Sequence, residues 1–115
     1  MWHMNPNARV HLALGHTDMR RSINGLSMMV DEALEREVFS GDLFVFCNRS
    51  KTIIKILYWG KTGFCLWHNR LERDKFRWPK TEKEVQEITR EELSWLLDGL
   101  DISQAHQHLE YSVVG

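Results

Sequence analysis

No apolar stretch of this 115-residue chain approaches the roughly 20 residues that a bilayer-spanning helix needs. The opening residues, MWHMNPNARV, have neither the basic start nor the apolar stretch of a signal peptide, so the cytosol is the expected location. Cysteine is scarce. Cys47 and Cys65 both lie in apolar, strand-like segments, and neither belongs to a Cys-x-x-Cys pair. A disulfide framework and a zinc knuckle therefore have no support, and two buried thiols are expected. The catalytic signatures are missing too. There is no His-Glu-x-x-His and no Gly-x-Ser-x-Gly. Gly60-Lys61-Thr62 resembles the end of a phosphate-binding loop, but Lys55 stands where that loop needs glycine, and a strand rather than a helix is expected to follow. The reading is a non-enzyme without metal, cofactor or small-molecule substrate.

A small net charge of −1 conceals a strong asymmetry. Residues 49–80 hold Arg49, Lys51, Lys55, Lys61, Arg70, Arg73, Lys75, Arg77 and Lys80 against only Glu72 and Asp74, a balance of +7. Residues 82–115 hold eight acids against Lys83 and Arg90, a balance of −6. Separation of this kind suits the first segment to a polyanion or an acidic protein surface. Trp59, Trp67 and Trp78 lie within the same basic segment. Aromatic rings beside Lys and Arg are how many proteins stack single-stranded bases. The competing reading, of equal weight, is core or edge-strand packing with lysine stems laid over the rings.

Val10, Leu12 and Leu14 alternate with His11 and Ala13, which predicts a strand that Gly15 ends. Thr17 is the expected N-cap, with Asp18 in the first turn, of a helix reaching about residue 36. Met19, Ile23, Leu26, Val30 and Ala33 form its apolar face. The cap reading is preferred to a catalytic dyad of His16 and Asp18. Residues 43–48, 52–59 and 64–71 read as three strands of an antiparallel meander, with a four-residue loop at 60–63. FRWP, residues 76–79, extends it as a short edge strand, because Pro79 cannot donate to an interior ladder. Residues 84–88 are a short extended segment. Thr89 and Glu92 form a capping box ahead of a helix with Leu93, Leu96, Leu97 and Leu100 on one face and Gly99 at its end. His106 and His108 would share one face of a strand in the tail. The expected fold is α+β, a single domain over residues 1–115. An antiparallel sheet of about four strands packs on one long helix, a second helix lies near the C-terminus, and the tail 103–115 is loosely ordered.

Several blocks stand in a specific order: His16-Thr17-Asp18-Met19-Arg20 after Gly15, then Gly25-Leu26, residues 43–46, residues 54–59, Gly63-Phe64, Arg70-Leu71-Glu72 and residues 76–79. Together they resemble the small accessory protein (TnpB type, second open reading frame) of bacterial insertion sequences of family 66. The resemblance extends to about Leu100. Gly60 after Trp59, where an acid is frequent, and Arg21-Ser22, where a basic residue and glycine are common, depart from the pattern. The resemblance implies a protein encoded beside a DDE-type transposase that assists transposition, with transposase and transposon DNA as partners and no catalytic residues. The expectation is that residues 49–80 contact nucleic acid or transposase, and that the acidic C-terminal helix serves protein docking or self-association. The alternative is a purely protein-binding module that stabilises the transposase.

Overall fold

The structure is a computed structural model that describes residues 7–80, 83 and 85–102. Five strands form one mixed sheet in the order β4-β3-β2-β1-β5. The strands are β1 (Val10–His16), β2 (Leu43–Cys47), β3 (Ile53–Trp59), β4 (Phe64–Arg70) and β5 (Val85–Ile88). The meander β2-β3-β4 is antiparallel, as its tight connections require. β1 and β2 are parallel, because the 26-residue connection between them carries a helix back along the sheet. This corrects the expectation of an antiparallel sheet of about four strands. The fifth strand is the extended segment near residue 86, which pairs antiparallel with β1 at the far edge.

The first helix is shorter than its periodicity suggests. α1 (Ile23–Met28) passes directly into a π-helical stretch, Met29–Ala33. There the Leu34 amide donates to the Met29 carbonyl, five residues back, at 3.1 Å. The wider turn delays the apolar face by one residue, so Leu34 is buried and Ala33 is exposed. The helix also starts late. Thr17 is not its cap: β1 continues through Gly15 to His16, the Thr17 amide donates to the Cys47 carbonyl at 2.8 Å, and the helix begins after Ser22.

The second helix, α2 (Arg90–Leu97), is close to its sequence reading. The Thr89 hydroxyl accepts from the Glu92 amide at 3.0 Å, and the Glu92 carboxylate accepts from the Thr89 amide at 3.0 Å, so two orphan donors are satisfied reciprocally. At the other end Gly99 (φ +84°) donates to the Leu96 carbonyl, and Leu100 donates to that of Trp95. This Schellman turn swings Leu100 out to 49% exposure, away from the apolar face of Leu93 and Leu96.

Both faces of the sheet are covered, which is why all five residues of β2 are buried. On one face Ala13, Phe44, Phe46 and Leu57 meet Leu26, Val30 and Leu34 from α1 and the π stretch, with Val38 just beyond. On the other, Leu12, Val45, Ile54 and Ile56 meet Leu93 and Leu96 of α2 together with Phe76 and Trp78. FRWP is not an edge strand. Residues 71–80 cross the sheet without strand pairing, and they press Phe76 and Trp78 into this second core. Residues 103–115, with His106 and His108, lie outside the described residues.

Candidate functional site

Because β1 and β2 are parallel, their C-terminal ends lie at one end of the sheet. β3 starts there, β4 finishes there, and β5 starts there. Three connecting segments therefore emerge together: residues 17–22, 48–52 and 71–80. Hydrogen bonds tie them. The Leu71 amide donates to the Thr52 carbonyl and the Phe76 amide to the Lys51 carbonyl, each at 2.8 Å. The Trp78 indole N–H donates to the Leu14 carbonyl at 3.0 Å. Lys55 Nζ donates to the Met19 carbonyl at 2.8 Å.

The 48–52 turn is built around Asn48. Its carboxamide oxygen accepts from the Thr52 and Ile53 amides at 2.9 and 3.0 Å, and its Nδ2 donates to the Ser50 and Thr52 hydroxyls. This is how an Asx side chain replaces backbone partners in a tight turn. It holds Lys51 in the left-handed region (φ +62°), a conformation that costs about 1 kcal/mol or more for a residue with a Cβ. Asn48 is a positioning residue that charge-based reading passes over; the Asn-x-Ser-x-Thr spacing was its only signal.

Twelve residues of the basic segment divide by position. Arg49, Lys51, Arg70, Arg73, Lys75, Arg77 and Lys80 gather at this end, in or beside the three segments. Arg20 and Arg21 join them from the 17–22 loop, where residue patterning had pointed to a helix. Lys55 lies beneath that loop with its ammonium engaged by main-chain oxygen. Lys61 and Trp59 lie at the opposite end, around the β3-β4 hairpin, where the Gly60 amide donates to the Gly63 carbonyl at 2.7 Å. That hairpin leads into β4, so no helix terminus is present to cradle phosphate. Trp67 sits mid-strand, half-buried against the α2-side core. Trp78 is 7% exposed and presents no free face for a base.

Two open clefts flank residues 71–80. One, of about 670 Å³, lies between Lys51, Arg77 and Lys80 on one side and Glu92 and Asp101 on the other. The second, of about 870 Å³, sets Lys51, Arg73 and Lys75 against Asp98 at the end of α2. The acidic C-terminal half thus packs back against the basic segment.

The His16–Arg20 block runs from the last residue of β1 into the loop, held to Cys47 through the Thr17 amide and to Lys55 through the Met19 carbonyl. Asp18 accepts from the Arg20 amide at 2.9 Å and from its guanidinium at 2.7–3.1 Å. The Arg20 hydrogen bond, reinforced by its amide and charge, draws the Asp18 carboxyl down to about 2, and Asp18 in turn raises Arg20. With both carboxylate oxygens on Arg20, Asp18 is not the partner of a catalytic histidine. His16 is exposed. Thr17 is 3% exposed, and its hydroxyl has no hydrogen-bond partner among the described residues. Elsewhere burial pushes the Cys47 thiol up to about 11, so it stays protonated and inert at neutral pH. Among the described residues no group of three His, Cys, Asp or Glu is placed to hold a metal ion. No helix among them is long and apolar enough to cross a membrane.

A family model described as IS66 Orf2 like protein matches residues 8–107, which takes in the whole described sheet, both helices and the basic end. The chain belongs to this family. Two proteins of Sinorhizobium fredii (strain NBRC 101917 / NGR234) are similar to it. The protein designated y4hO is 41% identical over 95 residues, 83% of each chain. The protein designated y4jC is 34% identical over 93 residues, 81% of this chain and 80% of its own. No solved structure matches. Membership in the IS66 Orf2-like family points to an accessory role in transposition, in a family not known for catalysis.

Proposed function

We propose that this protein is a non-catalytic transposition accessory factor whose basic end engages the phosphates of element DNA, alone or together with the transposase. The observation that carries this reading is the convergence of Arg49, Lys51, Arg70, Arg73, Lys75, Arg77 and Lys80 at one end of the sheet, on segments tied by main-chain bonds. Fixed cations of this kind contact the backbone of nucleic acid and carry little sequence information. With Trp78 buried and Trp67 half-buried, the binding is phosphate-led rather than base-stacking. Affinity for a short duplex should therefore fall steeply with salt, with a log–log slope of about −0.9 per phosphate neutralised. Changing Arg70, Arg73 and Arg77 together to Ala should weaken binding by roughly 10- to 100-fold at moderate salt and flatten that slope. Binding that is indifferent to salt, or absent, would sink the reading.

A second reading is favoured by the acids Glu92, Asp98 and Asp101 that face the basic segment across the clefts. In it the same end is a mixed-charge protein surface that holds the transposase and touches no DNA. A transposase pull-down with and without element-end DNA separates the two. Loss of capture by the triple-Ala variant only when DNA is present supports the first reading; loss in both arms supports the second.

A further inference from the structure

The opposite end of the sheet carries a feature that the basic end does not explain. Phe39 is 58% exposed, yet its ring is packed at 5.1 Å from Trp59 and 5.6 Å from Phe64, and those two rings lie 4.9 Å apart. Spacings this short leave no room for a ligand between the rings, so they form a solid pad with Phe39 on its open side. The chain reaches the pad through unusual backbone. The π-helical stretch is followed by Glu35 at φ +52° and, past the pad, by Gly41 at φ +88°. The left-handed Glu35 closes the helix, where the Arg36 amide donates back to the Val30 carbonyl at 3.1 Å, and this turn delivers the chain to the pad. The approach is acidic. Asp31, Glu32, Glu35 and Glu37 are exposed and outnumber the bases at this end, which are Arg36 among them, Arg9 sharing a cleft with Glu37, and Lys61 in the hairpin. The Glu37 carboxylate accepts from the Phe39 amide at 3.2 Å.

We propose that the Phe39–Trp59–Phe64 pad, with Glu35 and Glu37 beside it, is a docking site for an arginine-bearing polypeptide segment. A guanidinium lies flat on an aromatic face while its N–H fork reaches a neighbouring carboxylate, which an ammonium does less well. Aliphatic side chains flanking that arginine cover the rest of the open ring. The pad stands about 20 Å from the basic loops, the length of β3 at 3.3 Å per residue. It therefore leaves those loops free to bind a partner of their own.

The test is a titration of the ¹⁵N-labelled full chain with a capped peptide of alternating Arg and Leu. The controls are its Lys–Leu and Glu–Leu counterparts and a short DNA duplex. Shifts should centre on the Phe39 amide and the Trp59 indole. Phe39→Ala and the double change Glu35→Gln with Glu37→Gln should each weaken binding about tenfold or more, a loss of at least 1.4 kcal/mol. Glutamine at 37 keeps the acceptor for the Phe39 amide, and the exposure of Phe39 lets the Ala variant fold. The Lys–Leu peptide should bind more weakly and the Glu–Leu peptide not at all. Binding that survives both variants, equal binding of the Lys peptide, or duplex DNA shifting the same resonances would overturn the proposal.

Discussion

Where β1, β2 and β4 finish, three segments carry Arg20, Arg49, Arg73, Lys75, Arg77 and Lys80, pinned by Asn48, Lys55 and the Trp78 indole. Where β3 finishes, residues 34–42 and the 60–63 hairpin carry an aromatic pad, a run of acids and two left-handed residues. The same strands support both ends. The difference lies in what holds each one. At the basic end charged side chains stand on loops whose backbone groups bond to one another, so the charge is mounted on a fixed frame. At the pad end rings pack on rings and one side is left open. Lys61 and Trp59, close in sequence to the basic cluster, belong with the pad.

The contrast breaks most severely at Trp78. Trp78→Ala removes a core ring and orphans the Leu14 carbonyl, and should cost about 3–5 kcal/mol in urea unfolding. The exposed Phe39→Ala should cost far less. Next comes the Arg70, Arg73 and Arg77 triple-Ala variant, whose large loss is in DNA affinity. Its stability should move by no more than about 0.5 kcal/mol per site, because these side chains are exposed. A shift in the urea midpoint as large as that of Trp78→Ala would make the basic end a structural network instead. Lys55→Met tests the frame itself. It keeps the stem and removes a charged donor from the Met19 carbonyl, for an expected loss of about 1–2 kcal/mol.

Acid separates the two ends more finely. Asp42, at the start of β2, is raised by burial but lowered more by its 2.8 Å contact with His11, by the Arg9 amide and by the charges of both, and its net pKa lies below the ordinary value. A depressed carboxyl stabilises the fold above its unfolded pKa, and that stability is lost as pH falls through the folded value. As pH falls below the ordinary carboxylate range and through the lower folded value, the wild type should therefore lose stability that Asp42→Asn does not lose. Asp18→Asn should change the profile less, since water surrounds the Asp18–Arg20 pair. The smallest expected effect is at Thr17. Thr17→Val replaces a buried, unpartnered hydroxyl by a methyl group, and should leave stability within about 0.5 kcal/mol or raise it. A clear loss would mean that the hydroxyl has a partner of its own.

Elements with local causes were legible in the residues. Thr89 and Glu92 announced the start of α2 and Gly99 its end, because a cap is written within a few positions. The meander was legible from alternation and turn residues, and the hairpin nature of Gly60-Lys61-Thr62 from what precedes and follows it. The start of the first helix was misread at Thr17, since a good capping residue also fits a strand end, and the choice lies with the Cys47 carbonyl on another strand. The π stretch was illegible because one extra residue per turn leaves no trace in composition.

By itself the sequence determined the β2-β3-β4 meander, the start and end of α2, the excess of positive charge over residues 49–80, and the family, since these follow from neighbouring residues and their order. Only the tertiary structure decided that β1 and β2 run parallel. That pairing brings the end of β1 and the 17–22 loop to the end of the sheet where the 48–52 and 71–80 segments lie, so that Trp78 donates to Leu14 and Lys55 to Met19. The physical reason is that the β1–β2 pairing joins residues more than 30 positions apart, such as Val10 and Leu43. Which cations become neighbours is set by strand direction, and no local pattern encodes it.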